Sequence, residues 1–540
     1  MKKFVLLVIS ASLLVSCNID ELEFDNVEVQ PINGVFSFPL GQSTYVLRDL
    51  ILKQTGDSIS FQEDSTSLLT LLYYDTITYA AQDDFVQIDD IVESNTVTVI
   101  PPFVGPTPPG NPVMFSESFS APYDPVDGEQ LDSIFYENGD LTIVTTSGLA
   151  AGIVMDYTFT IANTINIGTG NPVSLSGSIT GSNNETLSQS LVNHKTLLTD
   201  ASGDNRFDIL LSMEVTLDPG ENLTGAESIS FELTYGNQTF NLIYGKFGRD
   251  TVQVGDQSIE LDFFSQAARE GITFGNPSLT FDFRNSFGIP VAVDFSGLNG
   301  DDGNGGNQIF LTGQVVNSPP IVAGSGINTP APGTPGETVQ TIVEIDRSNS
   351  NLGNILASAP DRLVFNVAGI SNPNDLTAEN YVQPTSQITA YVAMEVPMEI
   401  QLENYQESGR FSLGDGIDLD NVDSAFVRVV TLNELPFSGI ATLDIQAADS
   451  SSLYLITDNL VINAPFININ GEVTDPNGAT VDIPLPPEAV EALANASHIA
   501  ITLTLNTPAS QTSREIYVKV LADYELLLKV GIGGKFNLEW

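Results

Sequence analysis

The chain has 540 residues, with 18 Lys and Arg against 68 Asp and Glu, a net charge of −50 at pH 7. That balance repels phosphate backbones and argues against a nucleic-acid partner. A hydrophobic share of 42% with 29 Phe argues against an acidic disordered tail, and a charged share of only 16% leaves Ser, Thr, Asn and Gln to cover the surface, as in exported β-proteins.

The first element is a leader over residues 1–16. Lys2 and Lys3 precede an apolar run from Phe4 to Leu14. The run is shorter than the roughly 20 residues a spanning helix needs and fits a secretory signal peptide. Leu14-Val15-Ser16-Cys17 resembles the bacterial lipobox. That resemblance implies cleavage before Cys17, a diacylglycerol on its sulfur and an acylated amino group. Each buried methylene is worth about 0.8 kcal/mol, so two or more chains make a stable anchor. Cys17 is the only cysteine, which excludes a disulfide framework and a Cys-based zinc site. Asp20, Glu21, Glu23 and Asp25 follow in an acidic linker over 17–33 that resembles the export tag of surface lipoproteins in Bacteroidota. A plain solvated linker is the alternative.

Residues 34–100 read as a small N-terminal region. Within it STYVLRDLILK (43–53) places Val46, Leu47, Leu50 and Ile51 on one helical face, with Ser43 as a candidate N-cap. A stiff Pro-rich linker, PPFVGPTPPGNP, covers 101–112. The middle β-domain, 113–316, and the C-terminal β-domain, 338–540, flank a second Pro/Gly/Ser linker at 317–337.

Period-two alternation runs through both domains, in DLTIVTTSG (140–148), VMDYTFTIA (154–162), SISFELTYG (228–236), QTFNLIYGKF (238–247), QITAYVAMEVPMEIQL (387–402), HIAITLTLN (498–506) and EIYVKVLADYELLLKV (515–530). Alternation buries one face of each strand. The expected fold is all-β: an elongated, multi-domain, antiparallel β-sandwich-like architecture with a few short helices. One of those helices is expected in PPEAVEALANA (486–496), where Pro487 and Glu488 suit a first turn. LNGDDGNGGN (298–307) reads as a hairpin tip. Two stretches, 131–149 and 422–435, share an apolar-Asp-Ser-x-Phe start and suggest one design used twice. FGNPSLTFDFRNSFGIPVAVDF (274–295) resembles part of the small β-sandwich of desiccation-linked proteins. KVGIGGKFNLEW resembles the closing strand of an outer-membrane barrel, but the Asp and Asn content of the other strands favours an ordinary sandwich strand.

Catalytic patterns are lacking. The two histidines, His194 and His498, are far apart, and no H-E-x-x-H, G-x-S-x-G or phosphate loop occurs. Calcium is the best small-ligand candidate, since Asp415, Asp418, Asp420 and Asp423 offer hard oxygens at close spacing, as do Asp200, Asp204 and Asp208. Neither set follows the EF-hand frame, and plain acidic turns are the alternative. Ser58, Ser65, Thr76, Ser133, Thr251 and Ser424 each follow an Asp and precede another residue in the short Asp-Ser/Thr-apolar pattern that Bacteroidota glycosylate.

CNIDELEFDNVEVQPINGVFSFPLGQSTYVLRDLI, with lipobox, acidic tag and FPLG turn, resembles a group of large surface lipoproteins of Bacteroidota. The resemblance implies a non-catalytic accessory subunit, lipid-anchored in the outer membrane and facing outward, with integral outer-membrane proteins and other lipoproteins as partners. A role beside the β-barrel assembly machinery is one such case. The alternatives are a carbohydrate-binding or adhesive lipoprotein and, less favoured, a hydrolase.

Overall fold

A computed structural model describes residues 32–46, 59–80, 88, 90–98, 112–122, 130–198, 205–261, 271–302, 308–324, 335–373, 380–412, 422–508 and 516–538. The fold is all-β, as expected, with three short helices among the described residues. In chain order the strands open with β1 (Ile32–Val46), β2 (Ile59–Glu63), β3 (Leu69–Ala80), β4 (Ile91–Thr98) and β5 (Val113–Pro122). They continue with β6 (Gln130–Ser147), β7 (Ile153–Asn166), β8 (Pro172–Thr180), β9 (Asn184–Ser190), β10 (His194–Leu197), β11 (Arg206–Leu217) and β12 (Ser228–Lys246). Next come β13 (Thr251–Glu260), β14 (Ile272–Phe274), β15 (Ser278–Asn285), β16 (Val291–Asp301), β17 (Ile309–Phe310), α1 (Gln314–Asn317) and β18 (Ile321–Val322). After these lie β19 (Val339–Ile345), α2 (Leu352–Ala357), β20 (Arg362–Ser371), β21 (Asn380–Val382), β22 (Gln387–Pro397) and β23 (Glu399–Leu402). The rest are β24 (Tyr405–Ser412), β25 (Val422–Asn433), β26 (Ser438–Gln446), β27 (Ser452–Ile462), β28 (Phe466–Ile467), β29 (Val473–Asp475) and β30 (Asn477–Leu485). They are followed by α3 (Pro487–Ala494), β31 (His498–Asn506), β32 (Val518–Lys519) and β33 (Glu525–Leu538).

The alternation acts as the sequence implies. In β7, Ile153, Met155, Tyr157, Phe159 and Ile161 point into a core while the intervening residues face outward. What the pattern did not disclose is the pairing. Three sandwiches share one strand order. In the first, one sheet runs β4-β12-β6-β9 and the other β5-β11-β7-β8. In the second, β3-β22-β15-β19, with β2 as an added edge strand on β3, faces β13-β20-β16, whose last neighbour is split into β17 and β18. In the third, β1-β33-β25-β30 faces β24-β31-β26-β27. Counting eight strands per sandwich, the order is first-eighth-third-sixth opposite second-seventh-fourth-fifth each time. This is the jelly-roll order, and all the pairings are antiparallel.

The copies are nested rather than consecutive. The whole first sandwich lies between β3 and β13, the first two strands of the second. The second, with the first inside it, lies between β1 and β24, the first two strands of the third. First and eighth strands pair antiparallel, so a sandwich's entry and exit sit side by side. Thr70 opposes Pro397, and Met398 N–H donates to the Leu69 carbonyl at 2.8 Å. A unit with adjacent ends can be spliced into a loop without disturbing its host.

Several expectations change. Residues 34–100 are not a separate region: β1, β3 and β4 are the first strands of three different sandwiches. The Pro-rich 101–112 segment is the connection between the first two strands of the first sandwich, and 317–337 falls inside the second. Ser43–Val46 are strand, paired with Glu525–Leu528, because the hydrogen-bonding partner β33 overrides a local helical pattern; Leu47 to Lys53 lie outside the described residues. The two alternating stretches 228–236 and 238–247 form the single strand β12, with a register irregularity where Asn237 adopts φ 52°. The helix at 487–494 is present and buries Ala489, Ala492 and Leu493. β16 and β17 pair as the hairpin expected around 298–307. The segments 131–149 and 422–435 both fall on third strands, β6 and β25. The Gly-rich stretch of β33 lies centrally in a sandwich sheet, where the Phe426 ring occupies the space a side chain at Gly533 would need.

Candidate functional site

Each jelly roll turns from its third to its fourth strand through one clamped corner. In the second sandwich, Asn285 accepts from Phe287 N–H at 2.9 Å and donates to the Ile289 and Ala323 carbonyls at 3.0 and 3.2 Å. In the third, Asn433 accepts from Leu435 N–H at 3.0 Å and donates to the Phe437 and Asn463 carbonyls at 2.8 and 3.0 Å. In the first, Ser147 accepts from Leu149 N–H at 3.2 Å and donates to the Gly181 carbonyl at 2.9 Å. All three side chains are buried. Each satisfies backbone groups that a turn inside the protein would otherwise strand.

The sandwiches meet at two joints built alike. In the connection between the seventh and eighth strands of its host, β21 pairs with the end of β12, Val382 against Ile243 and Asn380 against Gly245. The equivalent connection of the third sandwich supplies β32, which pairs with β23, directly after the second sandwich's eighth strand: Val518 opposes Ile400 and Lys519 opposes Glu399. Both joints are packed as cores. Phe247, Phe287, Ile289 and Val382 belong to the apolar cluster of the first sandwich, with Tyr381 against Tyr244 at 6.1 Å. Ile400, Leu402, Phe437, Val518, Val520 and Ala522 belong to that of the second. Asn372 and Asn380 are bonded to each other at 2.8 Å in the first joint, and Asn372 also donates to the Phe247 carbonyl. The Tyr381 ring fills the space where Gly288 would carry a side chain. Lys519 and Glu472 form an ion pair at 3.0 Å beside the second joint, and each holds the other charged: the Lys519 ammonium is raised by Glu472, and the Glu472 carboxyl is lowered by Asn468 and then Lys519.

The residues singled out in the sequence disperse. Cys17, Asp415, Asp418, Asp420 and Ser58 lie outside the described residues, as do Asp200 and Asp204. Asp423 is on β25. Asp208 accepts from Ser120 Oγ at 2.8 Å and pairs with Arg206 at 3.3 Å. Ser65, Thr76, Thr251 and Ser424 are exposed, whereas Ser133 is 8% exposed in the middle of a sheet, which would have to open before a glycan could be added. Among the described residues no three His, Cys, Asp or Glu side chains converge as a metal site, and no helix is long and apolar enough to cross a membrane.

His194 and His498 lie in different sandwiches, β10 of the first and β31 of the third. His194 is buried, its Nδ1 2.9 Å from the Val192 carbonyl oxygen. Close to it runs a chain of four buried hydroxyls that sequence reading missed: Tyr136 to Thr196 at 2.9 Å, Thr196 to Thr164 at 2.9 Å and Thr164 to Tyr235 at 2.7 Å. Burial, then the neighbouring Tyr136, pushes the Tyr235 phenol well above its ordinary 10.0. A neutral phenol chain fixes strand positions and supplies no nucleophile near pH 7.

No family model matches the chain, and no curated protein matches it. Among solved structures, a protein of Parabacteroides distasonis inferred to be secreted aligns with 53% of this chain and 83% of its own length, at 14% identity and a TM-score of 0.31. An archaeal-virus protein with a triple jelly-roll fold, from a turret assembly, aligns with 89% of this chain and 99% of its own, at 12% identity and a TM-score of 0.11. Scores this low support no statement about the present chain.

Proposed function

We propose that this protein is a lipid-anchored, outward-facing, non-catalytic subunit of the bacterial outer membrane, one that docks on outer-membrane proteins. The observation that carries the reading is the pair of packed joints, which links three jelly rolls in series. A short acidic linker separates Cys17 from β1, a strand of the third sandwich. Acyl chains on Cys17 would therefore hold the third sandwich nearest the bilayer. The first sandwich, two joints away, would reach furthest outward. Exposed strand edges and loops supply docking surfaces of the kind used in strand addition. Integral outer-membrane proteins and other lipoproteins are the proposed partners, with a role beside the β-barrel assembly machinery as the narrower case.

The test has two arms. Labelled palmitate should enter the protein, and Cys17→Ala should abolish both labelling and recovery with the outer membrane. Protease added to whole cells should cut the protein, and a pull-down from detergent-solubilised outer membranes should return barrel proteins in stoichiometric amount. An unlabelled, freely soluble native protein, or recovery of the chain alone, would contradict the reading.

A further inference from the structure

The fifth strand of the second sandwich is broken, and the break opens a cleft. β17 ends at Phe310, α1 makes one turn, and the strand resumes as β18. The space left is about 460 Å3 and is bounded by Thr273 and Phe274 on β14, by Thr312 to Gln314, by residues 347–351, by Asn354 on α2 and by Tyr517 just before β32. It therefore lies at the joint between the second and third sandwiches. Junctions of this kind, and volumes of roughly 300–1,000 Å3, are where small-ligand sites concentrate.

The walls are held rigidly. Asn349 donates to the Glu344 carbonyl at 2.8 Å and accepts from Asp346 N–H at 3.0 Å. Asn351 donates to the Phe310 carbonyl at 3.1 Å and accepts from Thr312 N–H at 2.7 Å. The Tyr517 ring lies against Gly275, where a Cβ would come within 2.9 Å of Cγ, and the Arg347 guanidinium sits 5.2 Å from its centroid. On this frame the exposed Gln314 and Asn354 amides make no hydrogen bond to the described residues.

The lining is polar, with a single charged side chain, Arg347, among the described residues. Among the described residues no carboxylate lines the cleft. Amides, hydroxyls, one guanidinium and one phenol remain. An amide offers a donor and an acceptor side by side, which matches a sugar hydroxyl that is itself both. The paired carboxylates that glycoside hydrolysis uses are not among the described lining residues, which suits holding a sugar rather than cleaving it. We infer that this cleft is a binding site for a neutral oligosaccharide, which it holds without cleaving.

The inference is independent of the lipid anchor. The test is calorimetric titration of the mature full-length protein with maltohexaose, cellohexaose, xylohexaose and mannohexaose. At least one should bind with a sub-millimolar Kd and be recovered intact. The double variant Gln314→Ala, Asn354→Ala changes two exposed side chains and should fold normally; it should weaken that binding about tenfold or more, the loss expected of two ligand hydrogen bonds. Thr96→Ala, in a separate groove on the first sandwich, should leave it unchanged. No binding of any of the four at millimolar concentration, equal affinity in the double variant, or cleavage of the bound sugar would overturn the assignment.

Discussion

The first and third sandwiches solve one topological problem with opposite chemistry. Both must close the open side between two sheets in the connection from sixth to seventh strand. The third does so with α3, whose Ala489, Ala492 and Leu493 are apolar and buried. The first uses β10, which pairs with both β6 and β7 and zips the two sheets into one. There the seal is the chain of hydroxyls from Tyr136 to Tyr235. The corner differs likewise, Asn433 making three bonds where Ser147 makes two. The strand order thus tolerates either an apolar or a fully bonded polar seal.

Substitutions can break this comparison in graded ways. The largest effect is expected at the joint between the first and second sandwiches. Val382→Asp would bury a carboxylate among Phe247, Phe287 and Ile289 and should cost more than about 4 kcal/mol. Thermal unfolding should then show the first sandwich melting separately; an unchanged single transition would contradict a packed joint. At the seals, Leu493→Ala should cost about 3 kcal/mol in the third sandwich by leaving a cavity, and Thr196→Val about 2 kcal/mol in the first by stranding its partners. Urea denaturation would compare them, and a neutral Thr196→Val would mean the hydroxyl chain is incidental.

At the corners, Asn433→Ala should destabilise more than Ser147→Ala, by about 1 kcal/mol for the additional bond. The smallest effect concerns pH. Glu227 is buried just before β12. Burial raises its pKa, but Thr224 and Gly225 N–H groups and the Thr224 hydroxyl, at 2.8 to 3.0 Å, outweigh it and leave the carboxyl below its ordinary 4.5. A lowered folded value contributes stability above the unfolded pKa and loses it as pH falls through the folded one. Glu227→Gln should therefore lower stability at pH 7 by about 1 kcal/mol and flatten the fall below pH 4.5. Parallel pH profiles for variant and parent would contradict this.

Local features were legible where local physics decides them. Alternation disclosed β7, β12, β22 and β31, and Pro487 with Glu488 marked the start of α3. The shared Asp-Ser pattern on β6 and β25 hinted at repetition. Nesting was not legible, because β1 finds β33 across almost the whole chain and no residue in either names the other. The Pro-rich 101–112 segment looked like a domain boundary because composition marks a connection without saying what it connects. Of the site residues, Cys17 and three of the four clustered aspartates fall outside the described residues. The cleft at Tyr517 was not legible because its walls come from four separate segments.

The central claim is that three jelly rolls are nested through their first and eighth strands. Cross-linking tests it most directly, in a Cys17→Ser background that has no other thiol. Thr96 and Ser230 hydroxyls are 2.8 Å apart in the first sandwich, those of Thr78 and Thr389 are 3.3 Å apart in the second, and Gln42 opposes Lys529 in the third. Cysteine pairs at these three positions should each oxidise within one chain, giving disulfides that enclose one another when combined. Failure of the Gln42/Lys529 pair to close, or cross-links formed only between separate molecules, would contradict the nested architecture.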